Sequence, residues 1–540
     1  MNMKRRFWLL LIIAIGLFLR TYHLKELPPG LFTDEAMNGN NIMHALHTGA
    51  WSVFYPENSG REGLFINAQG IFVKLLGNKP WVLRITSVLF GTLTLICLYF
   101  LSKELFCSGG EFKEDDAETI ALLAAFFMAT SFWHINLSRI GFRAISAPFW
   151  IVLALYCLFR GYRHLRESAS ASGTPAYFAP PSIFCFIAGG LSFGLGFHSY
   201  IAYRAMPGVI LVIFLLFFCI ARKEMWARQF LAASGIFVLF SILAAAPLFY
   251  YFATHPGSFW ERASEVSVTA PGEDVVGNLA RNVRRTLGMF NIRGDNNWRH
   301  NVARRPELFW PVGICFIVGG VLMIWSLLKA ADSERTAAVK SPSVTAAVMS
   351  FLSPMFSASK LPCATILSIS AMGALPAVMS REAIPHALRC VLLMPPAFMT
   401  AGLGAFKIYQ FAQKQLSRFM SPASCRLSPL AFLTVLALLC VEAYTTYFTL
   451  WGKHPNLSAS FAAEDVALGE ELNRLPASTP KYVVLKPAWT SVNGIPISSQ
   501  TVMFITDTYD RKQQDEKNIH YVLPGDESKI PRSSRTFYIR

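Results

Sequence analysis

The chain has 540 residues, of which 53% are hydrophobic and 15% are charged, and its mean hydropathy is +0.39. Soluble domains carry about a quarter charged residues, so this composition excludes an ordinary soluble protein and predicts a membrane protein. Lysine and arginine outnumber aspartate and glutamate by 49 to 33; no nucleic-acid motif is present, and we assign the excess to helix-anchoring loops and to membrane lipids.

Apolar segments long enough to cross a hydrocarbon core of about 30 Å recur along the chain. They lie at roughly 7–21, 81–102, 119–137, 146–161, 182–198, 205–221, 230–252, 309–328, 361–379, 388–406 and 428–449. Lys4, Arg5 and Arg6 precede the first segment, so the positive-inside rule places the N-terminus in the cytoplasm. Alternation then predicts about 11 transmembrane helices and an outer C-terminus. The interval 341–360 stays open as a loop, an interfacial helix or part of a span.

Two predicted outer loops, about 23–80 and 254–308, are too long to be simple connections. The remainder, 450–540, is polar and contains a helical stretch from Phe461 to Leu475 and strand-like runs at 482–485 and 502–505. We therefore predict an α-helical polytopic domain at 1–449 with long outer-face loops, followed by a small outer-face α/β domain at 450–540.

Thr33-Asp34-Glu35 follows the first helix by about one dozen residues, so both carboxylates are expected beyond the membrane and close to its outer surface. The segment from Asp34 to Leu46 has apolar residues at helical spacing, and Thr33 or Asp34 would cap that interfacial helix. Capping alone would explain the pair. Carboxylates in this place would also suit chemistry on a lipid-carried group, and Asp34 and Glu35 are our candidate catalytic residues.

The same loop contains Arg61-Glu62 between two glycines. A local ion pair in a turn would explain this motif, and so would a site where Arg61 binds a phosphate and Glu62 binds a cation. Three more arginines are predicted on the outer side, where the positive-inside rule disfavours them: Arg139, Arg143 and Arg204. They are either snorkelling anchors or ligands of a lipid phosphate; Arg61, Arg143 and Arg204 are our phosphate-binding candidates.

The segment 291–301 in the second long loop is dense in hydrogen-bonding groups. It packs two arginines, a histidine, a tryptophan and four amide side chains into eleven residues. Amides, charges and an aromatic face are typical of sugar sites, although a loop held by its own polar network would have a similar composition. The candidate donor-binding residues here are Asp295, Arg299, His300 and Asn301, with Arg262 upstream.

In the placement of these residues the chain resembles the GT-C superfamily of integral membrane glycosyltransferases. More narrowly, it is similar to glycosyltransferase family 39, which includes dolichyl-phosphate-mannose protein mannosyltransferases and the bacterial aminoarabinose transferases that modify lipid A. The resemblance covers roughly residues 1–310 and rests on Asp34-Glu35, on Arg61-Glu62 and on the order of spans and loops.

The resemblance implies direct transfer of a sugar from a polyprenyl phosphate to an acceptor hydroxyl at the periplasmic or extracellular face of the plasma (inner) membrane. Asp34 matches the family's first-loop aspartate and would be the general base. Arginines or a divalent metal ion would stabilise the leaving phosphate, and Glu62 matches a metal-binding glutamate, with His255 as a loose match for its histidine partner. Gly63 stands in place of a family lysine, and a second family aspartate is missing near Arg143. The sugar and the acceptor, whether glycan, lipid or protein, therefore stay open.

A polytopic transporter or lipid-linked sugar flippase is the alternative, and an inactive scaffold is a third reading. Pro247 and Pro395-Pro396 interrupt predicted spans, and Glu442 is the main mid-span carboxylate, as transport would require. Other polar residues gather on one predicted face of the membrane, which favours an interfacial glycosyltransferase.

Overall fold

The structure, a computed structural model, describes residues 3–172, 180–260, 264, 267, 274–338, 358–381, 384–419, 428–488, 490–492, 494–531 and 534–539. Over these ranges the chain is mostly helical, with seven short strands. Most of the interval 341–360, whose interpretation was open, lies outside the described residues.

The first half of the chain contains ten helices and a two-stranded ribbon within the described ranges. Their bounds are α1 Met3–Thr21, α2 Thr33–Thr48, β1 Phe54–Tyr55, β2 Arg61–Glu62, α3 Gly63–Leu76, α4 Pro80–Ser108, α5 Glu114–Thr130, α6 Phe132–Leu137, α7 Ser146–Ser172, α8 Pro180–Gly196, α9 Pro207–Lys223 and α10 Ala227–Thr254. The remaining elements are α11 Val275–Gly288, α12 Trp310–Ala338, α13 Leu361–Val378, α14 Met394–Phe419, α15 Ser428–Tyr444 with a π-helical continuation Thr445–Trp451, α16 Asn456–Ser460, α17 Ala463–Arg474, β3 Lys481–Val484, β4 Ser491–Val492, β5 Ile495–Pro496, α18 Gln500–Thr506, α19 Arg511–Lys517, β6 Ile519–Val522 and β7 Arg535–Tyr538.

Eight helices of the described chain are long and apolar enough to cross a membrane, which confirms a polytopic helical membrane protein. The other three predicted spans fall on α1, α8 and the pair α5–α6, where helices α1, α5 and α8 have 19, 17 and 17 residues. The span predicted at 119–137 is interrupted at Ser131, whose extended backbone (φ −72°, ψ 127°) separates α5 from α6. Among the described residues, α1, α5 and α8 do not meet the same criterion of length and composition, so the predicted number of about 11 spans stays a prediction.

Charged pairs mark the end of the helical bundle that carries the start of α1. Arg5 lies 2.7 Å from Glu118 in α5, and Arg163 lies 2.8 Å from Glu104 in α4, so each of these carboxylates has a basic partner. The long loops extend from the other end, which we call the loop end. Which side of the membrane the loop end faces stays a prediction.

The C-terminal segment, residues 456–539, contains a parallel three-stranded sheet in the order β6-β3-β7. Helix α17 and strand β3 confirm the predicted helix at 461–475 and strand at 482–485. The run 502–505, predicted as a strand, is instead part of helix α18, and all four of its side chains are buried. A short apolar run does not distinguish a strand from a buried helical turn. The domain boundary at 449/450 stays a prediction.

Helix α18 packs against α2, the helix whose first turn contains Asp34. Asn40 Nδ2 donates to the backbone oxygen of Gln500 at 2.9 Å and to its Oε1 at 2.8 Å. The buried Phe504 ring lies against Gly39, where an added Cβ would come within 2.4 Å of the ring. The C-terminal segment therefore braces the first long loop.

Gly39→Ala should loosen this contact, because the added methyl group has no space beside the Phe504 ring. Overpacking of this kind costs about 1–3 kcal/mol. We expect a lower thermal unfolding midpoint in detergent and faster proteolytic release of residues 450–540. Gly235→Ala in α10 is the matched control, since nothing lies within 4 Å of its added Cβ. Equal effects of the two substitutions would contradict the prediction.

Candidate active site

Asp34 and Glu35 lie side by side in the first turn of α2 but in different surroundings. The Glu35 side chain is fully buried, whereas Asp34 is partly exposed. The helix is preceded by Phe32 at the N-cap, in an extended conformation and without a side-chain capping hydrogen bond. The prediction that Thr33 or Asp34 caps this helix is therefore wrong, and the Asp34 carboxylate is available for other contacts.

Glu35 forms a fully buried ion pair. Its Oε2 accepts from Arg84 Nε at 3.2 Å and from the backbone N–H of Gly141 at 2.6 Å. Arg84 also donates to the carbonyls of Pro28 and Gly30, at 2.6 and 2.8 Å. These bonds join α2, α4 and the turn before α7. This placement favours a structural role for Glu35 over the predicted catalytic one.

Asp34 makes one hydrogen bond within the described part of the chain, from Asn58 Nδ2 to its Oδ1 at 3.2 Å. Asn58 begins a turn, residues 58–60, in which φ is 54°, 60° and 88° in succession. Consecutive left-handed residues are uncommon, and this turn directs Asn58 towards Asp34. Burial lowers the pKa of Arg61, to about 10, and that of Arg299, and the negative charge of Asp34 opposes both shifts. The charge of Asp34 therefore acts on both guanidinium groups, although it forms no direct ion pair with either of them in the described chain.

Arg61 is 2% exposed and most of its hydrogen-bonding capacity is used within the loop. It donates to Asn38 Oδ1 at 2.7 Å and to Asn41 Oδ1 at 2.5 Å, both on α2, and it pairs with Glu57 at 3.3 Å. Arg61 thus fixes β2 against α2. Its predicted contact with a phosphate stays a prediction.

Glu62 brings two of the candidate arginines together from distant parts of the chain. Arg143 Nε lies 2.7 Å from Glu62 Oε2, and Arg204 Nη2 lies 3.8 Å from Oε1. Arg204 also donates to the carbonyl of Phe259 and lies over its ring, 4.2 Å from the centroid. One carboxylate between two guanidinium groups leaves a net positive charge, which suits an anionic group such as a phosphate.

The metal site that the resemblance implied, Glu62 with His255, is not assembled. His255 is exposed and stacks on Tyr251 with ring centroids 4.1 Å apart, and it makes no contact with Glu62. A dication would have to displace Arg143 and Arg204 from the same carboxylate. These two residues therefore do not fit a metal ion.

Asp295, His300 and His386 are the residues that could hold a metal in the described chain, since one ligand atom from each lies within 4.8 Å of the others. Asp295 Oδ2 is 3.0 Å from His300 Nδ1 and 3.9 Å from His386 Nδ1. Burial keeps the pKa of His386 well below its ordinary value. Burial raises the pKa of Asp295, but the hydrogen bond and charge of His300 outweigh it and leave that pKa lowered.

The other candidates of this loop separate into two groups. Asn301 Nδ2 donates to the Arg305 carbonyl at 2.5 Å and to Glu307 Oε1 at 3.1 Å, so it belongs to the loop's own polar network. Arg299 instead reaches the first loop, where its guanidinium lies 3.5 Å from the Phe32 ring centroid. Arg262, also predicted here, lies outside the described residues.

Sequence reasoning missed several residues that shape the site. Arg84 could have been found, because an arginine inside an apolar span is a functional or structural signal in itself. Asn58 and His386 carried no such signal, because their partners Asp34 and Asp295 are remote in sequence and become neighbours only in the fold.

No family model and no curated protein sequence matches the chain. Among solved structures it is similar to ArnT from Cupriavidus metallidurans bound to undecaprenyl phosphate, with a TM-score of 0.50 and 12% identity over 98% of this chain and 90% of that one. It is also similar to the Archaeoglobus fulgidus oligosaccharyltransferase tethered with an acceptor peptide (TM-score 0.49, 13% identity, 93% and 63% of the chains) and to the S. cerevisiae Pmt1-Pmt2 complex bound to the sugar donor (0.36, 17%, 48% and 34%). The similarity to ArnT confirms the predicted resemblance in its fold alone.

Proposed function

We propose that this chain is a glycosyltransferase that moves a sugar from a polyprenyl-phosphate-linked donor to an acceptor hydroxyl, with Asp34 as the general base. One observation carries the proposal: Glu35 is paired with Arg84 and Glu62 with Arg143, whereas Asp34 accepts a single hydrogen bond from an amide. Asp34 thus keeps lone pairs free to accept a proton. The fold shared with ArnT, whose structure contains undecaprenyl phosphate, supports the donor class.

In the proposed step, Asp34 accepts the proton of the acceptor hydroxyl as that oxygen bonds to the anomeric carbon. The bond from the anomeric carbon to the phosphate oxygen breaks, and polyprenyl phosphate leaves with the electron pair, so the anomeric configuration inverts. Arg143 and Arg204, held together by Glu62, supply positive charge for the leaving phosphate. No step passes through a metal ion at Glu62, because both arginines engage that carboxylate.

We further propose that the chain is a multi-pass protein of the plasma (inner) membrane and that its loop end faces the periplasm or the exterior. The basic residues Lys4, Arg5 and Arg6 lie at the opposite end of the bundle, and such clusters favour the cytoplasm. The C-terminal segment would then lie on the same face as Asp34. Lipid, glycan and protein acceptors are all compatible with this placement.

The features that favoured a transporter are weaker in the folded chain. Glu442 pairs with Arg305 and accepts a hydrogen bond from Thr446 Oγ1 at 2.8 Å, so it is not a free charge along a path. Pro395 and Pro396 lie in the first turn of α14, where proline is tolerated. Pro247 lies inside α10, which continues across it.

Arg143→Gln should lower kcat/KM for the donor by about 10- to 100-fold, with a fall in kcat, because a charge-assisted hydrogen bond to the leaving phosphate is worth about 1.5–3 kcal/mol. Glu62 would keep Arg204 as its partner. Initial transfer rates at several donor concentrations measure the effect. Arg166→Gln is the matched control, since Arg166 pairs with Glu224 at the opposite end of the bundle. Similar kinetics in the two variants would argue against a phosphate site at Arg143.

The proposal is tested in cells that lack this chain. They should accumulate a polyprenyl-phosphate-linked sugar and lose one sugar modification, which mass spectrometry of lipid, cell-wall and protein fractions would identify. The native chain should restore the modification and the Asp34→Asn variant should not. Unchanged glycans in the deleted cells would refute a transferase function.

A further inference from the structure

We propose that Asp295, His300 and His386 bind a zinc ion that joins the second long loop to the segment before α14. Asp295 and His300 belong to the loop 291–301. His386 follows helix α13 in sequence and is separated from that loop by α12 and α13. One ligand atom of each lies within 4.8 Å of the others. The proposal does not depend on the proposed sugar transfer, and neither Glu62 nor His255 takes part in it.

The ligand set selects zinc over calcium or magnesium. Two imidazole nitrogens and one carboxylate oxygen suit zinc, whereas calcium and magnesium prefer oxygen ligands throughout. A tetrahedral zinc ion with bonds of about 2.1 Å places its ligand atoms about 3.4 Å apart. The distances from Asp295 Oδ2 to the two Nδ1 atoms, 3.0 Å for His300 and 3.9 Å for His386, lie on either side of that value. Three side chains leave a fourth position for water.

The hydrogen bonding of His386 leaves Nδ1 only weakly engaged. This nitrogen accepts the backbone N–H of Arg389 at 3.4 Å, which is long for a hydrogen bond, and its 3.9 Å separation from Asp295 Oδ2 is too long for one. Glu307 Oε1 accepts the backbone N–H of Asp295 at 3.0 Å, but its buried Oε2 has no partner among the described residues. A zinc ion would engage the His386 nitrogen more strongly than this backbone N–H does.

Asp295 is held in place by a second set of contacts, as metal ligands usually are. Its Oδ1 accepts the Asn297 N–H and its Oδ2 accepts the Ala387 N–H, both at 2.8 Å. A cavity of about 590 Å³, lined by Asp295, Asn297 and Pro385 among others, gives an ion access to this region.

The site has a consequence for the first loop. Arg299 directly precedes His300, and its guanidinium lies on the Phe32 ring beside the start of α2. A zinc ion that fixes His300 would therefore also fix Arg299 near Asp34, so the three ligands would act as positioning residues for that side chain.

Metal analysis of the purified full-length chain tests the proposal. The protein is purified without a histidine tag or chelators, and we expect about one zinc ion per chain. His386→Ala should lower that content at least tenfold, while His255→Ala, which removes an exposed histidine stacked on Tyr251, should leave it unchanged. A zinc-free native protein, or equal zinc in the native chain and His386→Ala, would overturn the proposal.

A second measurement covers the case in which His386→Ala fails to fold. The native protein is stripped with a chelator and titrated with Zn²⁺ alone while its thermal unfolding is followed. Saturable stabilisation at one equivalent supports the site, and no change of the midpoint contradicts it. Both readouts are independent of transfer activity, so a failure of the proposed function would not be mistaken for a failure of this one.

Discussion

Asp34→Asn should reduce sugar transfer by about 10²- to 10⁴-fold, the usual contribution of a general base, and leave the protein folded. The amide cannot take the acceptor proton, but it has the size of the carboxylate and can still accept the hydrogen bond from Asn58. Because Asp34 is partly exposed and forms no direct ion pair in the described chain, its loss should change the free energy of unfolding little. Transfer from a radiolabelled polyprenyl-phosphate sugar in isolated membranes gives the rate.

Glu464→Gln is a suitable control for this substitution. Glu464 is an exposed acidic residue in the first turn of α17, just as Asp34 lies in the first turn of α2. We expect native rates from Glu464→Gln. If Asp34→Asn also transfers sugar at the native rate, Asp34 is not the base. If Asp34→Asn is slow and unfolded, its lost activity reflects the loss of structure and not of proton transfer.

Glu35→Gln should have the opposite result, with a loss of fold rather than a specific loss of chemistry. Glu35 and Arg84 are both fully buried, and the substitution leaves the Arg84 charge without its counter-ion. Breaking a buried pair in this way costs about 3–5 kcal/mol. The thermal unfolding midpoint in detergent and the yield of monodisperse protein measure this cost.

The double variant Glu35→Gln, Arg84→Gln isolates the cause. The amide oxygen introduced by Glu35→Gln can still accept the Gly141 N–H, and no unpaired charge remains in the interior. Removing both charges avoids the cost of an unpaired buried charge, but the carbonyls of Pro28 and Gly30 lose Arg84 as a donor, so we expect the double variant to regain part of the lost stability. If the double variant is as unstable as Glu35→Gln alone, the unpaired charge of Arg84 is not the cause of the lost stability.

The helical architecture was predictable because membrane spans depend on local composition. Every predicted span falls on one or two helices of the described chain, whereas the sidedness inferred from Lys4, Arg5 and Arg6 stays a prediction. Two local predictions were wrong. Ser131 interrupts a predicted span, and the run from Val502 to Ile505 forms a helix rather than a strand. Both depend on packing against other parts of the chain, which apolar content does not encode.

The sequence predicted which residues lie at the candidate site better than it predicted which of them contact one another. Asp34, Glu62, Arg143, Arg204 and Arg299 were all selected from the sequence, and the fold brings them to one end of the bundle. The different surroundings of these side chains could not be predicted from the sequence, because the partner of Glu35 lies on α4 and that of Glu62 lies in the turn before α7. The pairing of Glu62 with His255 came from the resemblance, and it failed because two arginines occupy that carboxylate.

The most direct test uses the purified chain in liposomes with a radiolabelled polyprenyl-phosphate sugar and candidate acceptors. The account predicts that the native protein converts the donor into free polyprenyl phosphate and labelled product in equal amounts, and that Asp34→Asn leaves the donor intact. Movement of intact donor across the bilayer by both proteins, with no labelled product, would contradict it.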